Sequence, residues 1–261
     1  MIPRKYLIFV WLTPMVVANW IGMTFVDPTG PSLLLLAFFF GSLFAHASLA
    51  AAWFILGPLR FAYRAPLSLI WLLLLVVVIS IHTARGMSHA EAPYNVCLVA
   101  NWTVALTVLM VARLLYGFSL RHGDDYGSQE ASRFQFGISQ LLMATCLVAV
   151  VLGVGRAVVT PLTEYFGADV LIFFLVIGTS GASVALPIIL SALSQQSAQV
   201  RVIASLTALG IASWLESLQM GARGLSIGEI AAINLGTLAI TLLYVTTIRL
   251  SGYTLTRTSK R

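Results

Sequence analysis

The sequence predicts an all-α polytopic membrane protein with eight transmembrane helices, arranged as two parallel four-helix repeats with both termini cytoplasmic. Three observations carry that expectation: the composition, the length of the apolar runs, and the placement of the few charges. Of 261 residues, 59% are hydrophobic and 9% are charged, whereas a soluble domain carries about 25% charged residues. Apolar runs fall near 6–26, 32–56, 66–84, 94–118, 137–159, 169–193, 200–220 and 229–249. Each is long enough as a helix to cross a hydrocarbon layer of roughly 30 Å. Helix is the required form, because backbone groups in lipid need partners within their own segment and the alternation of a membrane barrel is absent.

The charges set the orientation. With a cytoplasmic N-terminus, the inner segments collect Arg4, Lys5, Arg60, Arg64, Arg113, Arg121, Arg133, Arg201, Arg249, Arg257, Lys260 and Arg261, and the outer ones keep only Arg85, Arg156 and Arg223. That is a positive-inside distribution. The net charge of +6 therefore reads as topology and contact with anionic headgroups, and no nucleic-acid partner is expected. The expected partners are the bilayer itself and either a membrane protein or a small solute.

Taken in order, the first run follows Arg4 and Lys5 and is read as an uncleaved helix, although Val16 and Ala18 would also suit a signal-peptide cleavage site. The second carries Gly41, Ala45 and His46, and the sixth carries Gly178, Gly181 and Ala185. These small-residue faces let helices approach closely, so the second and sixth runs are expected at the packed centre. The fourth and eighth runs each follow a Ser-x-x-Glu pattern, Ser88 with Glu91 and Ser226 with Glu229. Such a pattern caps a helix start by exchanging side-chain and backbone hydrogen bonds. Cys97 and Cys146 fall inside runs with no metal-ligand spacing, so reduced packing cysteines and no metal are expected.

A shift of about 137 residues aligns Asp27 with Glu164, Gly30 with Gly167, Gly41 with Gly178, Ala45 with Ala182 and Arg64 with Arg201. "ARGMSHAE" at 84–91 then matches "ARGLSIGE" at 222–229, and "RLLYGFSLR" at 113–121 resembles "RLSGYTLTR" at 249–257. The pattern predicts a first repeat over 1–118, a cytoplasmic linker over 119–135, and a second repeat over 136–261 ending in a short basic tail. An even helix count per repeat makes the halves parallel about an axis along the membrane normal.

Polar residues at bilayer depth need a reason. Asn19, Asn101, Glu216 and Asn234 fall in the outer half of their runs, as does His82, while His46 lies mid-helix. Interhelical hydrogen bonding accounts for each Asn taken singly, and Glu216 and His82 lie close enough to the interface to be wet. Together with Arg85, Glu91, Arg223 and Glu229 they form the candidate binding residues. Arg85 and Arg223 are expected at equivalent outer helix ends, each beside its own Glu. Anchoring and capping is the expected role, and a shared anion site is the sharper alternative.

Two resemblances accompany these residues. "GSLFAHASL" at 41–49 and "GTSG" at 178–181 resemble motifs of rhomboid intramembrane serine proteases, which implies His46 and Ser180 as a catalytic pair. Leu49 stands where that pattern has Gly, and Ser follows His where the family has the reverse order. "AHASLAAAWFILGP" at 45–58, "RFQFGISQLLMAT" at 133–145 and "RLSGYTL" at 249–255 resemble multi-pass membrane proteins of planctomycete bacteria that have no assigned activity. That second likeness implies a bacterial inner-membrane location. Ala45 and His46 replace its Gly-Gln pair, and Ser139 stands where it has Arg.

No phosphate-binding loop, dinucleotide fingerprint or His-Glu-x-x-His pattern occurs, and no cofactor is expected. A non-catalytic membrane protein acting by packing with partners or lipids is the leading expectation. A small-solute permease with a site between the repeats is the alternative, and an intramembrane hydrolase comes third.

Overall fold

The structure is a computed structural model that describes residues 32–57, 61–84, 91–122, 168–193, 198–220 and 226–257. Six helices and two strands occupy them: α1 (Ser32–Leu56), α2 (Phe61–Ala84), α3 (Glu91–Tyr116), β1 (Phe118–His122), α4 (Ala168–Leu193), α5 (Ala198–Met220), α6 (Ile227–Leu250) and β2 (Tyr253–Arg257). The helices coincide with six of the eight expected runs. The first and fifth, 6–26 and 137–159, lie outside the described residues. Four helices, α1, α3, α4 and α6, are long and apolar enough to cross a membrane. The chain is thus an α-helical protein of membrane type.

Helix α1 is hydrophobic on every side, and such a helix belongs in an interior. Every residue from Gly41 to Gly57 is buried. Around it pack α6, α3, α2 and α4, while α4 in turn packs against α3, α6, α5 and α1. By contrast α2 and α5 bury only a stripe, leaving Leu73, Ile203 and Trp214 each more than half exposed.

Close approach at the centre depends on missing side chains. A Cβ on Gly41 would collide with the carbonyl of Ile233 on α6, and one on Gly178 with the carbonyl of Cys97 on α3. The second and sixth runs therefore lie at the centre as expected, but these two glycines admit α6 and α3 rather than each other. Gly181 supplies the direct contact, since a Cβ there would fall 2.8 Å from the Phe44 ring of α1.

Helix ends follow local chemistry. Ser226 has φ −72° and ψ 151°, its hydroxyl accepts from Glu229 N at 3.2 Å, and the Glu229 carboxylate accepts from Ser226 N at 2.7 Å, so the expected capping box is complete. At the other end α3 stops at Gly117 (φ 66°) and α6 runs out at Gly252 (φ 87°), a conformation that costs glycine nothing and other residues dearly. Where α1 ends, Arg64 donates to the carbonyls of Ile55 (3.2 Å) and Gly57 (2.7 Å), and Arg113 also donates to Ile55. Arg249 donates to Ala192 O at the end of α4 (3.0 Å). These cations satisfy carbonyls that helix geometry leaves open.

The strands correct one expectation. Residues 119–122, expected to begin a soluble linker, belong to β1, which pairs antiparallel with β2 in the supposed tail, with Leu120 opposite Leu255 and Phe118 opposite Arg257. The physical reason is alternation: Leu120, Tyr253 and Leu255 are buried while Ser119, Thr254 and Thr256 are half-buried, the period-2 pattern of a strand.

Candidate functional site

Two polar side chains of α4 and α6, Ser180 and Asn234, converge on one carboxylate of α5, that of Glu216. Ser213 and Glu216 lie three apart on α5 and so share a face, which meets α4 and α6. From α4, Ser180 Oγ donates to Glu216 Oε1. From α6, Asn234 Nδ2 donates to Glu216 Oε2 and to Ser213 Oγ, the latter at 3.0 Å. Glu216 is 3% exposed and Asn234 is 0% exposed. Among the described residues, the amide oxygen of Asn234 has no hydrogen-bond partner. Glu216 was expected to be wet at the interface; instead it is enclosed and bonded to neutral donors, because its helix turns that face inward.

A smaller polar set joins α1 and α3. Asn101 Nδ2 donates to Phe44 O (2.7 Å) and its Oδ1 accepts from Ser48 Oγ (3.0 Å). This is the interhelical bonding expected for Asn taken singly. His46 stands apart again: Nδ1 faces Ser42 O at 2.6 Å and Nε2 faces Tyr244 OH at 3.3 Å. A carbonyl can only accept, so Nδ1 carries the proton and Nε2 accepts from the tyrosine.

His46 and Ser180 are consequently engaged in different places, the first with Ser42 and Tyr244, the second with Glu216. The hydrolytic pair is not assembled. Glu229 serves its capping box, while Ser88, the partner expected for Glu91, lies outside the described residues. Asn19, Arg85 and Arg223 lie outside the described residues, as do the side chains of His82 and Glu91. Sequence reading missed Ser213, Ser48 and Tyr244, and the Ser-x-x-Glu spacing at 213–216 was the one available signal for the first.

A cavity of about 40 Å³ lies between α1, α4, α6 and β1, lined by Leu49, Trp53, Leu120, Ile189, Tyr244 and Ile248 among others. Its walls are apolar, and apolar cavities in proteins stay dry. Among the described residues no group of three or more His, Cys, Asp or Glu side chains gathers as a metal site would require. Comparison of the chain with protein-family models, with curated proteins and with solved structures finds no match.

Proposed function

We propose that the chain is a non-catalytic multi-pass protein of a bacterial inner membrane, acting by packing against membrane partners or lipids. In this reading it has eight spans in two parallel repeats, with both termini and the linker after β1 on the cytoplasmic side. The single observation that carries the non-catalytic reading is the filled centre. Among the described residues, Gly41 lies on Ile233, Gly178 on Cys97 and Gly181 on Phe44, and the cavity between α1, α4, α6 and β1 is small and apolar. A permease with its site there would need a polar, hydrated passage.

The repeat is supported by correspondences between its halves. Gly41 against Ile233 matches Gly178 against Cys97, and Arg113 on Ile55 O matches Arg249 on Ala192 O, each at a shift of 136 or 137 residues. The contact of α1 with α6 matches that of α4 with α3. The ribbon is centred on Leu120 opposite Leu255, equidistant from Gly117 and Gly252, as a twofold axis through it requires. Resemblance to planctomycete membrane proteins agrees with the location.

Solute flux tests the functional reading. After osmotic shrinkage in small neutral, anionic or cationic solutes, proteoliposomes should re-swell no faster than empty vesicles. A solute-specific flux abolished by Asn234→Leu would overturn it in favour of a permease. Reporter fusions at residue 125 should report the cytoplasm, and an external signal would reverse the topology.

A further inference from the structure

We infer that Glu216, held by Ser180 and Asn234 between α4, α5 and α6, is a proton-binding site that exchanges its proton with the outer face. Two independent observations carry this. The first is the enclosed carboxylate itself. An ionised carboxylate at membrane depth calls for a cation or a proton, and among the described residues its bonding partners are neutral. On the described elements packed against it, the other titratable groups lie elsewhere. On α4 the titratable residue is Asp169, eleven positions before Ser180. On α6 Glu229 is engaged with Ser226, Tyr244 with His46, and Arg249 with Ala192 O. On α5 itself Arg201 lies fifteen positions earlier, about 22 Å along the helix.

The second observation is the fully buried Asn234, which turns its amide nitrogen to Glu216 and to Ser213 Oγ and, among the described residues, leaves its amide oxygen without a partner. An amide can present either end to a carboxyl group. With a proton on Glu216 and the amide turned over, the carboxyl O–H donates to Asn234 Oδ1, the Ser213 hydroxyl can donate to the same oxygen, and the hydroxyl of Ser180 still donates to the other carboxyl oxygen. Proton loss returns Nδ2 to the carboxylate. The ligand is a proton rather than a metal ion, because Ser180 and Asn234 both turn donors toward the carboxylate in the structure, whereas a cation would have both turn oxygens toward it.

Architecture alone does not call for this polarity. On the repeat reading, which this part of the inference rests on, the positions equivalent to Ser180, Glu216 and Asn234 are Leu43, Ile79 and Leu98. All three are buried in the main core, at 0%, 1% and 0% exposure. The same three-helix junction is therefore filled by hydrocarbon in one half and by a carboxyl cluster in the other. Glu216 lies four residues from the end of α5, about one helical turn, which gives the proton a short path to the face assigned as outer.

Infrared difference spectroscopy of the full chain in lipid vesicles, with pH cycled, tests the site. A protonated-carboxyl stretch should appear and vanish reversibly, be lost completely in Glu216→Gln, and shift in frequency in Ser180→Ala because one hydrogen bond to that carboxyl is gone. Identical spectra for wild type and Glu216→Gln would overturn the proposal. So would a band that sodium ions displace at constant pH, which would assign the site to a metal cation. Should Glu216→Gln fail to fold, an unmoved band in Ser180→Ala overturns it equally. The repeat reading fails elsewhere: a Leu120→Cys, Leu255→Cys pair that does not cross-link would remove it and leave the infrared result standing.

Discussion

Two junctions of the molecule invite comparison. On the repeat reading, Leu43, Ile79 and Leu98 of α1, α2 and α3 hold the places that Ser180, Glu216 and Asn234 hold in α4, α5 and α6; the first three are hydrocarbon of the main core, and the second three are joined by hydrogen bonds. Glu216 and Asn234 are buried as the three apolar residues are, and Ser180 is half-buried, so burial alone does not distinguish the two junctions. The difference lies in what each tolerates. Hydrocarbon packing needs only matching volume and loses stability gradually as volume is removed. A polar cluster needs all its members, because each one left behind keeps its desolvation cost and loses its partner.

The comparison can be broken most severely by moving a charge into the apolar junction. Ile79→Glu places a carboxyl opposite Leu43 and Leu98, which cannot donate, and should cost about 3 kcal/mol, read as loss of folded protein in thermal unfolding in detergent. Next in size is the polar junction stripped of its acceptor. Glu216→Ile takes the acceptor from Ser180 and leaves Asn234 with Ser213 alone, and should cost about 1–3 kcal/mol. Adding Ser180→Leu and Asn234→Leu should recover most of that loss, since it rebuilds the junction of the first half. A triple variant less stable than Glu216→Ile would mean the two junctions differ in shape as well as in chemistry.

An effect of similar size sharpens the comparison at the helix ends. Arg64→Leu removes a cation from the Ile55 and Gly57 carbonyls and should cost about 1.5–3 kcal/mol, as hydrogen bonds to charged groups do; Arg249→Leu, which takes a cation from the Ala192 carbonyl, should cost less. Smallest is Ser226→Ala, which unmakes the α6 cap for about 1 kcal/mol. Both are measurable as shifts in thermal midpoint.

The contrast also shows which features a sequence can carry openly. Apolar runs announce helices because span length and composition suffice, and the Ser226 and Glu229 cap is legible because its partners are three residues apart. Gly41 and Gly178 announced close packing without naming the helix that fills the gap. Glu216 was read by its depth along one helix, and depth says nothing of which way the side chain turns. Its cluster joins residues from three helices, so no local pattern contains it. Arg64 and Arg113 were legible as cytoplasmic charge, and their bonding to the end of α1 was not, because a carbonyl left open by one helix leaves no mark on the residue of another that fills it. The strands were hidden differently: five residues of alternation are easily taken for a loop when the partner strand lies in the other half.

That ribbon has a consequence for the order in which the molecule is made. The hydrogen bond from Thr256 to Ser119 spans 137 residues of chain. At about 5–20 residues per second, synthesis of that interval takes on the order of ten seconds. Throughout it β1 stands with an unpaired edge, and an unpaired edge is a template for pairing with foreign strands. Chains interrupted before Tyr253 never acquire the matching strand, so in them β1 keeps open the edge that β2 covers in the finished molecule.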